Sequence, residues 1–308
     1  MPEDASVSRV AVIGVGRMGL PVVANLVRAG YQVRAFDERA EPKAHALALG
    51  AHWAKSLPSA IAGAEVVLTA LPGSPELRSV MLGDGSAAPG LLDRLPAGCT
   101  WLDLTSASPE LGDALSRAAR ARGIGYLDTA VGGGVHAAQQ GSLTLYVGGD
   151  HELLERHRSL LTAIADADRI HYMGGSGSGY LTKLLVNLLW FGQAVATGEA
   201  LLLGQRTGLD PSLLRDVFTR SAASSEFVRS YLPSLLDGDY LTTFGLDRCV
   251  EELDSIERFA RHQATPFELS SSVAQVHRDA LAHFGSVDGE LMAVAYLEHQ
   301  AGARLRRG

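Results

Sequence analysis

The sequence predicts an α/β fold, a doubly wound and mostly parallel sheet, followed by an all-α C-terminal domain. Two observations predict it. Through residue 173, short apolar runs bounded by turn residues alternate with amphipathic stretches, the pattern of strands joined by crossover helices. Beyond it, apolar residues recur at helical spacing and no β-rich run appears. The chain therefore divides into residues 1–173 and 174–308, with the Gly/Ser stretch 174–179 as linker.

Taken in order, residues 9–14 read as a buried strand and 18–29 as a helix closed by Gly30, a C′ glycine. Residues 32–36 form a second strand, 43–49 a helix, and 65–70 a third strand. Strands at 100–102 and 125–127 flank a helix at 109–122, and the last strand spans 143–147. The second domain carries helices at 181–205, 211–221, 246–262, 270–284 and 289–301. The first of these is long and very apolar, but Lys183, Asn187 and Gln193 interrupt it. It is read as a buried domain helix and not a membrane span. Helices this apolar are expected to be covered by a second subunit, in a homodimer or homotetramer.

Composition narrows the function classes. The 308 residues are 46% apolar and 20% charged, enough to bury a sizeable core. A formal charge of −7 disfavours a nucleic-acid or anionic-membrane surface, which needs a basic footprint. Cys99 and Cys249 have neither metal nor disulfide spacing and are expected to be reduced, partly buried thiols. His151 and His157 lack ligand spacing and are expected on helix surfaces, so no metal site is predicted. The short acidic start, Met1 to Ser8, lacks the basic region and cleavage site of a secretory signal, so a cytoplasmic location is expected.

Four segments carry chemistry. Gly14-Val15-Gly16-Arg17-Met18-Gly19 joins the first strand to the first helix. A pyrophosphate seated on a helix N-terminus needs close backbone approach, which glycines at these positions permit. Asp37 ends the second strand 18 residues after Gly19, close to the offset at which an acid holds the ribose hydroxyls. Together they form a Rossmann-type dinucleotide fingerprint. The Asp37 charge would repel a 2′-phosphate, so NAD is favoured over NADP, although Arg39 beside it weakens that preference. Two further loops, at Leu71-Pro72 and around Ser106, follow strands and so can reach the cofactor; each also reads as an ordinary turn, with Ser108-Pro109 as a helix cap. Gly132-Gly133-Gly134 offers backbone N–H groups suited to an anion. Lys183 and Asn187, four residues apart, share one helix face. Lys183 is the only charged side chain between Tyr172 and Gly198. Desolvation there can tune a lysine for proton transfer, while a lysine that snorkels to solvent is the plain alternative.

With these residues in hand, the chain resembles the β-hydroxyacid dehydrogenase family, the group of 3-hydroxyisobutyrate dehydrogenase and tartronate semialdehyde reductase. Residues 12–19 resemble its cofactor loop, 103–109 its Asp-x-Ser-Thr-x-x-Pro segment, 128–149 its substrate-binding stretch and 177–187 its catalytic helix. The resemblance covers nearly the whole chain, in order. It implies an active site between the two domains, with Lys183 as general acid or base and Asn187 holding substrate or lysine. It places Leu71, Pro72 and Ser106 along the cofactor. Two departures stand out. Gly132 occupies the position of a family serine that grips the substrate carboxylate, and Glu251-Glu252 replaces a Lys-Asp pair near the nicotinamide. An acid at Glu251, if it faces the site, favours a substrate bearing an amino group.

The expected activity is hydride transfer between NAD(P) and the hydroxyl-bearing carbon of a small β-hydroxy acid or its semialdehyde. An imine reductase is the rival enzyme, disfavoured because Lys183 is retained. A non-catalytic, cofactor-binding regulatory protein is the rival of another class, kept open by the two departures.

Overall fold

The computed structural model describes residues 8–83 and 89–307; the acidic stretch 1–7 lies outside them. The chain forms two compact units, Met1–Lys183 and Leu184–Gly308.

The first unit is an eight-stranded sheet of β1 (Arg9–Ile13), β2 (Gln32–Phe36), β3 (His52–Trp53), β4 (Val66–Thr69), β5 (Thr100–Asp103), β6 (Gly125–Gly132), β7 (Leu143–Gly149) and β8 (Ala165–Gly174). Their spatial order is β3-β2-β1-β4-β5-β6-β7-β8, and every neighbouring pair is parallel except β6 with β7. Helices α1 (Gly19–Arg28), α2 (Pro42–Ala48), α3 (Leu57–Ile61), α4 (Ser74–Leu82), α5 (Pro109–Arg120), α6 (Gly134–Gln140), α7 (His151–Arg156) and α8 (Arg158–Thr162) connect them. Strand order reverses between β1 and β4, the point in such a sheet beyond whose strand carboxyl ends ligands bind.

Apart from Arg9, every residue of β1, β4 and β5 is buried, because both sheet faces are covered. One face packs Val10, Val12, Leu68 and Leu102 against Val22 and Leu26 of α1. The other packs Ala11, Val67 and Trp101 against Leu77, Met81, Leu111 and Leu115. Each large aliphatic side chain removed from water in this way contributes roughly 1.5–3 kcal/mol before entropy is counted.

Several expectations need correction. Residues 143–147 are not the last strand: β8 follows, missed because Asp166, Asp168 and Arg169 make it polar, as befits an edge strand. The two-residue β3 was missed through its length. β6 does not end near Asp128 but runs on to Gly132, which pairs with Thr144. His157 is not on a surface: it is 4% exposed and its Nε2 lies 2.9 Å from Thr100 Oγ1. Cys99 and Cys249 are both free and fully buried.

The long helix α9 (Ser178–Arg206) begins in the first unit and continues into the second. The second unit adds α10 (Pro211–Thr219), a π-helical turn at Phe227–Tyr231, α11 (Leu232–Leu236), α12 (Leu246–His262), α13 (Glu268–Phe284) and α14 (Met292–Ala301). Its core joins Leu201, Phe227, Leu232 and Val294, with a second cluster around Phe191, Cys249 and Leu253. The expectation that α9 is buried holds on one side only. Leu185, Val186, Leu189 and Leu203 all stand exposed on this single chain. The C-terminal segment is pinned instead by a buried acid: Glu298 accepts from the Leu305 N–H at 2.7 Å and pairs with Arg304 and Arg306.

Candidate active site

The expected cofactor residues come from the carboxyl ends of β1, β2, β4 and β5, around the strand-order reversal. Gly14 adopts φ +88°, and a Cβ there would collide with the Ala70 carbonyl oxygen just beyond β4. A Cβ on Gly19 would collide with the Gly14 carbonyl oxygen. These two glycines let the turn close on itself. Gly16 differs: a Cβ there would lie 3.0 Å from the Arg39 guanidinium, so its half-buried backbone faces an arginine. Arg17 and Met18 complete the turn that leads into α1.

Asp37 stands immediately after β2 with both oxygens engaged. Oδ2 accepts the Val15 N–H at 2.8 Å, and Oδ1 accepts the Arg39 N–H and Nε–H at 2.9 and 3.0 Å. Burial by itself would raise this carboxyl. The Arg39 side chain and backbone and the Val15 N–H outweigh burial and hold it below the ordinary aspartate value. A glycine turn at a helix N-terminus with a held carboxylate one strand away fits the diphosphate and ribose of a nicotinamide dinucleotide.

Leu71 donates its N–H to Thr105 Oγ1 at 3.1 Å, which ties the loop after β4 to the loop carrying Ser106. Pro72 follows on the first of these loops, and Ser106 is half-buried on the second. Ser108 is indeed a helix cap, accepting from the Leu111 N–H, with Pro109 at the first helical position. In the triple glycine, Gly132 belongs to the sheet, while Gly133 and Gly134 turn into α6 at φ +98° and +65°.

Lys183 is half-buried on α9 and was expected to be buried. Asn187, one turn further along the same helix, donates Nδ2–H to Glu252 Oε2 at 2.5 Å. Glu251, the other half of the acidic pair, is paired with Arg248 at 2.8 Å, one turn back on α12, so its charge is matched locally. Among the described residues no cluster of metal-ligating side chains occurs.

Four residues of this region escaped sequence reasoning as members of a site. Glu252 was noticed only as a departure, and its contact with Asn187 depends on the packing of α12. Asp103, Asp128 and Tyr180 form a buried polar group. Asp103 and Asp128 are register partners on β5 and β6, and both are fully buried. Asp128 accepts the N–H groups of Gly177, Gly179 and Tyr180 at 2.8–3.2 Å. Burial lifts its pKa to about 6, while those three donors pull it back down. The signal available in the sequence was an acid closing each of two strand segments, Trp101-Leu102-Asp103 and Tyr126-Leu127-Asp128.

The match to known proteins follows this geometry. Residues 9–174 match the family model described as the NAD binding domain of 6-phosphogluconate dehydrogenase. Residues 177–297 match the one described as the NAD-binding domain of NADP-dependent 3-hydroxyisobutyrate dehydrogenase. The NAD-dependent L-serine dehydrogenase of Pseudomonas aeruginosa is 31% identical over 88% of this chain and 91% of its own. The 3-hydroxyisobutyrate dehydrogenase of the same organism is 35% identical over 73% of each. The structure of Mycobacterium tuberculosis 3-hydroxyisobutyrate dehydrogenase with L-serine superposes with a TM-score of 0.84 at 27% identity, covering 95% of this chain and 99% of that one. A dinucleotide turn at the strand reversal, a lysine and asparagine one helical turn apart, and similarity along nearly the full length lead to one conclusion: the chain belongs to the β-hydroxyacid dehydrogenase family.

Proposed function

We propose that the protein transfers a hydride between a nicotinamide dinucleotide and the hydroxyl-bearing carbon of a small β-hydroxy acid, with Lys183 moving the accompanying proton. The observation that carries this reading is the pairing of the Gly14–Gly19 turn with Lys183 on a helix whose first turn is anchored to the same sheet. The cofactor, when bound, supplies or accepts the hydride. Lys183 takes the hydroxyl proton during oxidation and returns one to the carbonyl oxygen during reduction. Asn187, held by Glu252, orients substrate or lysine. Leu71, Pro72 and Ser106 line the cofactor, and the N–H groups around Gly133 and Gly134 receive the substrate carboxylate. Retention of Lys183 disfavours imine reduction. Lys183→Ala should lower turnover at least about a hundredfold while NADH still quenches protein fluorescence normally. Near-normal turnover in that variant refutes the role.

NAD is favoured because Asp37 places a negative charge beside the ribose. A substrate with an amino group is the more specific reading; the L-serine relative supports it, while Glu251, paired with Arg248, does not. Initial rates with L-serine and 3-hydroxyisobutyrate, each with NAD and NADP, test both points.

The functional unit is read as a homodimer or homotetramer. Leu189 and Leu203 of α9, with Leu213 and Val217 of α10, are 52–69% exposed, an apolar surface that a second copy would cover.

A further inference from the structure

Lys183 lies three residues beyond Tyr180, and the turn preceding it is built with almost no slack. Gly177 has φ +88°, and a Cβ there would stand 2.9 Å from the Pro109 carbonyl oxygen. A Cβ on Gly179 would strike the Tyr146 carbonyl oxygen and lie 2.8 Å from Asp128 Oδ2. A Cβ on Gly112 of α5 would come within 3.0 Å of the Tyr180 ring. The turn is therefore pressed between β6, β7 and α5, with the Asp128 carboxylate receiving its backbone N–H groups.

Tyr180 adds a side-chain anchor. Its ring is 0% exposed, and its hydroxyl donates to Asp103 Oδ2 while lying 2.8 Å from the Tyr126 hydroxyl. Burial and the neighbouring Asp103 charge raise the Tyr180 pKa well above the ordinary tyrosine value, so the hydroxyl keeps its proton and remains the donor. Tyr126 then donates to Tyr180 in turn. The other Asp103 oxygen accepts from Thr69 Oγ1 at 2.5 Å and from Thr105 Oγ1 at 2.7 Å. Thr105 Oγ1 in turn receives the Leu71 N–H. One buried carboxylate thus touches the end of β4, the loop preceding Ser106 and the helix that bears Lys183.

We infer that Asp103 and Tyr180 are positioning residues, which lock the Lys183 turn and the two cofactor-lining loops into one frame so that the amine keeps its place relative to the nicotinamide end of the site. The inference rests on the proposed role of Lys183. A side chain held by a preorganised shell loses rate steeply when that shell loosens, since a displacement near 1 Å can cost about a hundredfold.

Tyr180→Phe deletes one hydroxyl and keeps the ring that fills the pocket, which makes it the test. Its partner variant is Tyr126→Phe, which removes the neighbouring hydroxyl from the same buried chain one bond further from α9. Both variants are expected to melt at a lower temperature than the wild type. At 25 °C, with each protein fully folded, Tyr180→Phe should lower kcat by about ten- to a hundredfold with L-serine or 3-hydroxyisobutyrate. Its KM for NAD and its Kd for NADH should stay within about twofold, and its deuterium isotope effect should rise as hydride transfer becomes limiting. Tyr126→Phe should keep kcat within about threefold. Equal kcat in Tyr180→Phe and wild type overturns the positioning role, as does equal loss in both tyrosine variants, which would mark simple destabilisation. Assaying Lys183→Ala in parallel separates the two levels. If that variant is inactive while Tyr180→Phe is normal, only the positioning inference fails; if Lys183→Ala is active, the proton-transfer reading fails with it.

Discussion

Asn187 of α9 is held by Glu252 of α12 through a 2.5 Å hydrogen bond to a carboxylate that is only 8% exposed. A buried carboxylate fixes the amide's orientation, so Asn187 presents its carbonyl oxygen in a defined direction and keeps its Nδ2–H occupied. A hydrogen bond to a charged group contributes about 1.5–3 kcal/mol.

Glu252→Ala is therefore expected to lower kcat/KM by about tenfold, because Asn187 is released to rotate. Glu252→Gln, which retains an acceptor oxygen, should recover most of it. Steady-state kinetics on the two variants check this, and identical losses would argue against an orienting role.

The pairing of Asp37 with Arg39 sets up a test of cofactor choice. Arg39 approaches Gly16 and partly neutralises the acid. Asp37→Asn should shift the ratio of NADPH to NADH affinity upward by about tenfold, since one repulsive charge beside the 2′ position is removed. Arg39→Ala should shift it the other way. Fluorescence titration with both reduced dinucleotides reads the ratios, and the effects should shrink as salt is raised.

A pH dependence of stability follows from His277, which is 1% exposed, 2.9 Å from the Val273 carbonyl through Nδ1, and packed against Phe191. Burial lowers its pKa to about 4 from 6.5, against a smaller opposing effect of that carbonyl. The folded state therefore binds fewer protons than the unfolded chain between these values. The stability this group contributes is complete above pH 6.5 and is lost as pH falls toward 4. Wild type should lose about 2 kcal/mol more than His277→Gln between pH 7 and 5. Urea midpoints at the two pH values decide it, and parallel losses would exclude His277. The comparison cancels opposing groups such as Asp128, whose raised pKa acts in the reverse direction.

The exposed face of α9 gives an assembly prediction. Leu189→Arg introduces a charge at a position 65% exposed in one chain, so the folded protomer should tolerate it. Light scattering at micromolar concentration should show a smaller species than the wild type. An unchanged mass would move the interface elsewhere.

Local chemistry made much of this protein legible in its sequence. The strand-turn-helix spacing around Gly14–Gly19 and the acid at Asp37 needed only backbone sterics and strand periodicity. The polar break at Lys183 and Asn187 showed because the rest of that helix is apolar. What tertiary structure decided are relations between residues far apart in the chain. Asp103 meets Tyr180 across 77 positions, and Asn187 meets Glu252 across 65. Periodicity reports which face of an element is apolar. Which buried acid takes which hydroxyl is set by the packing of elements against one another, and a one-dimensional pattern carries no record of that.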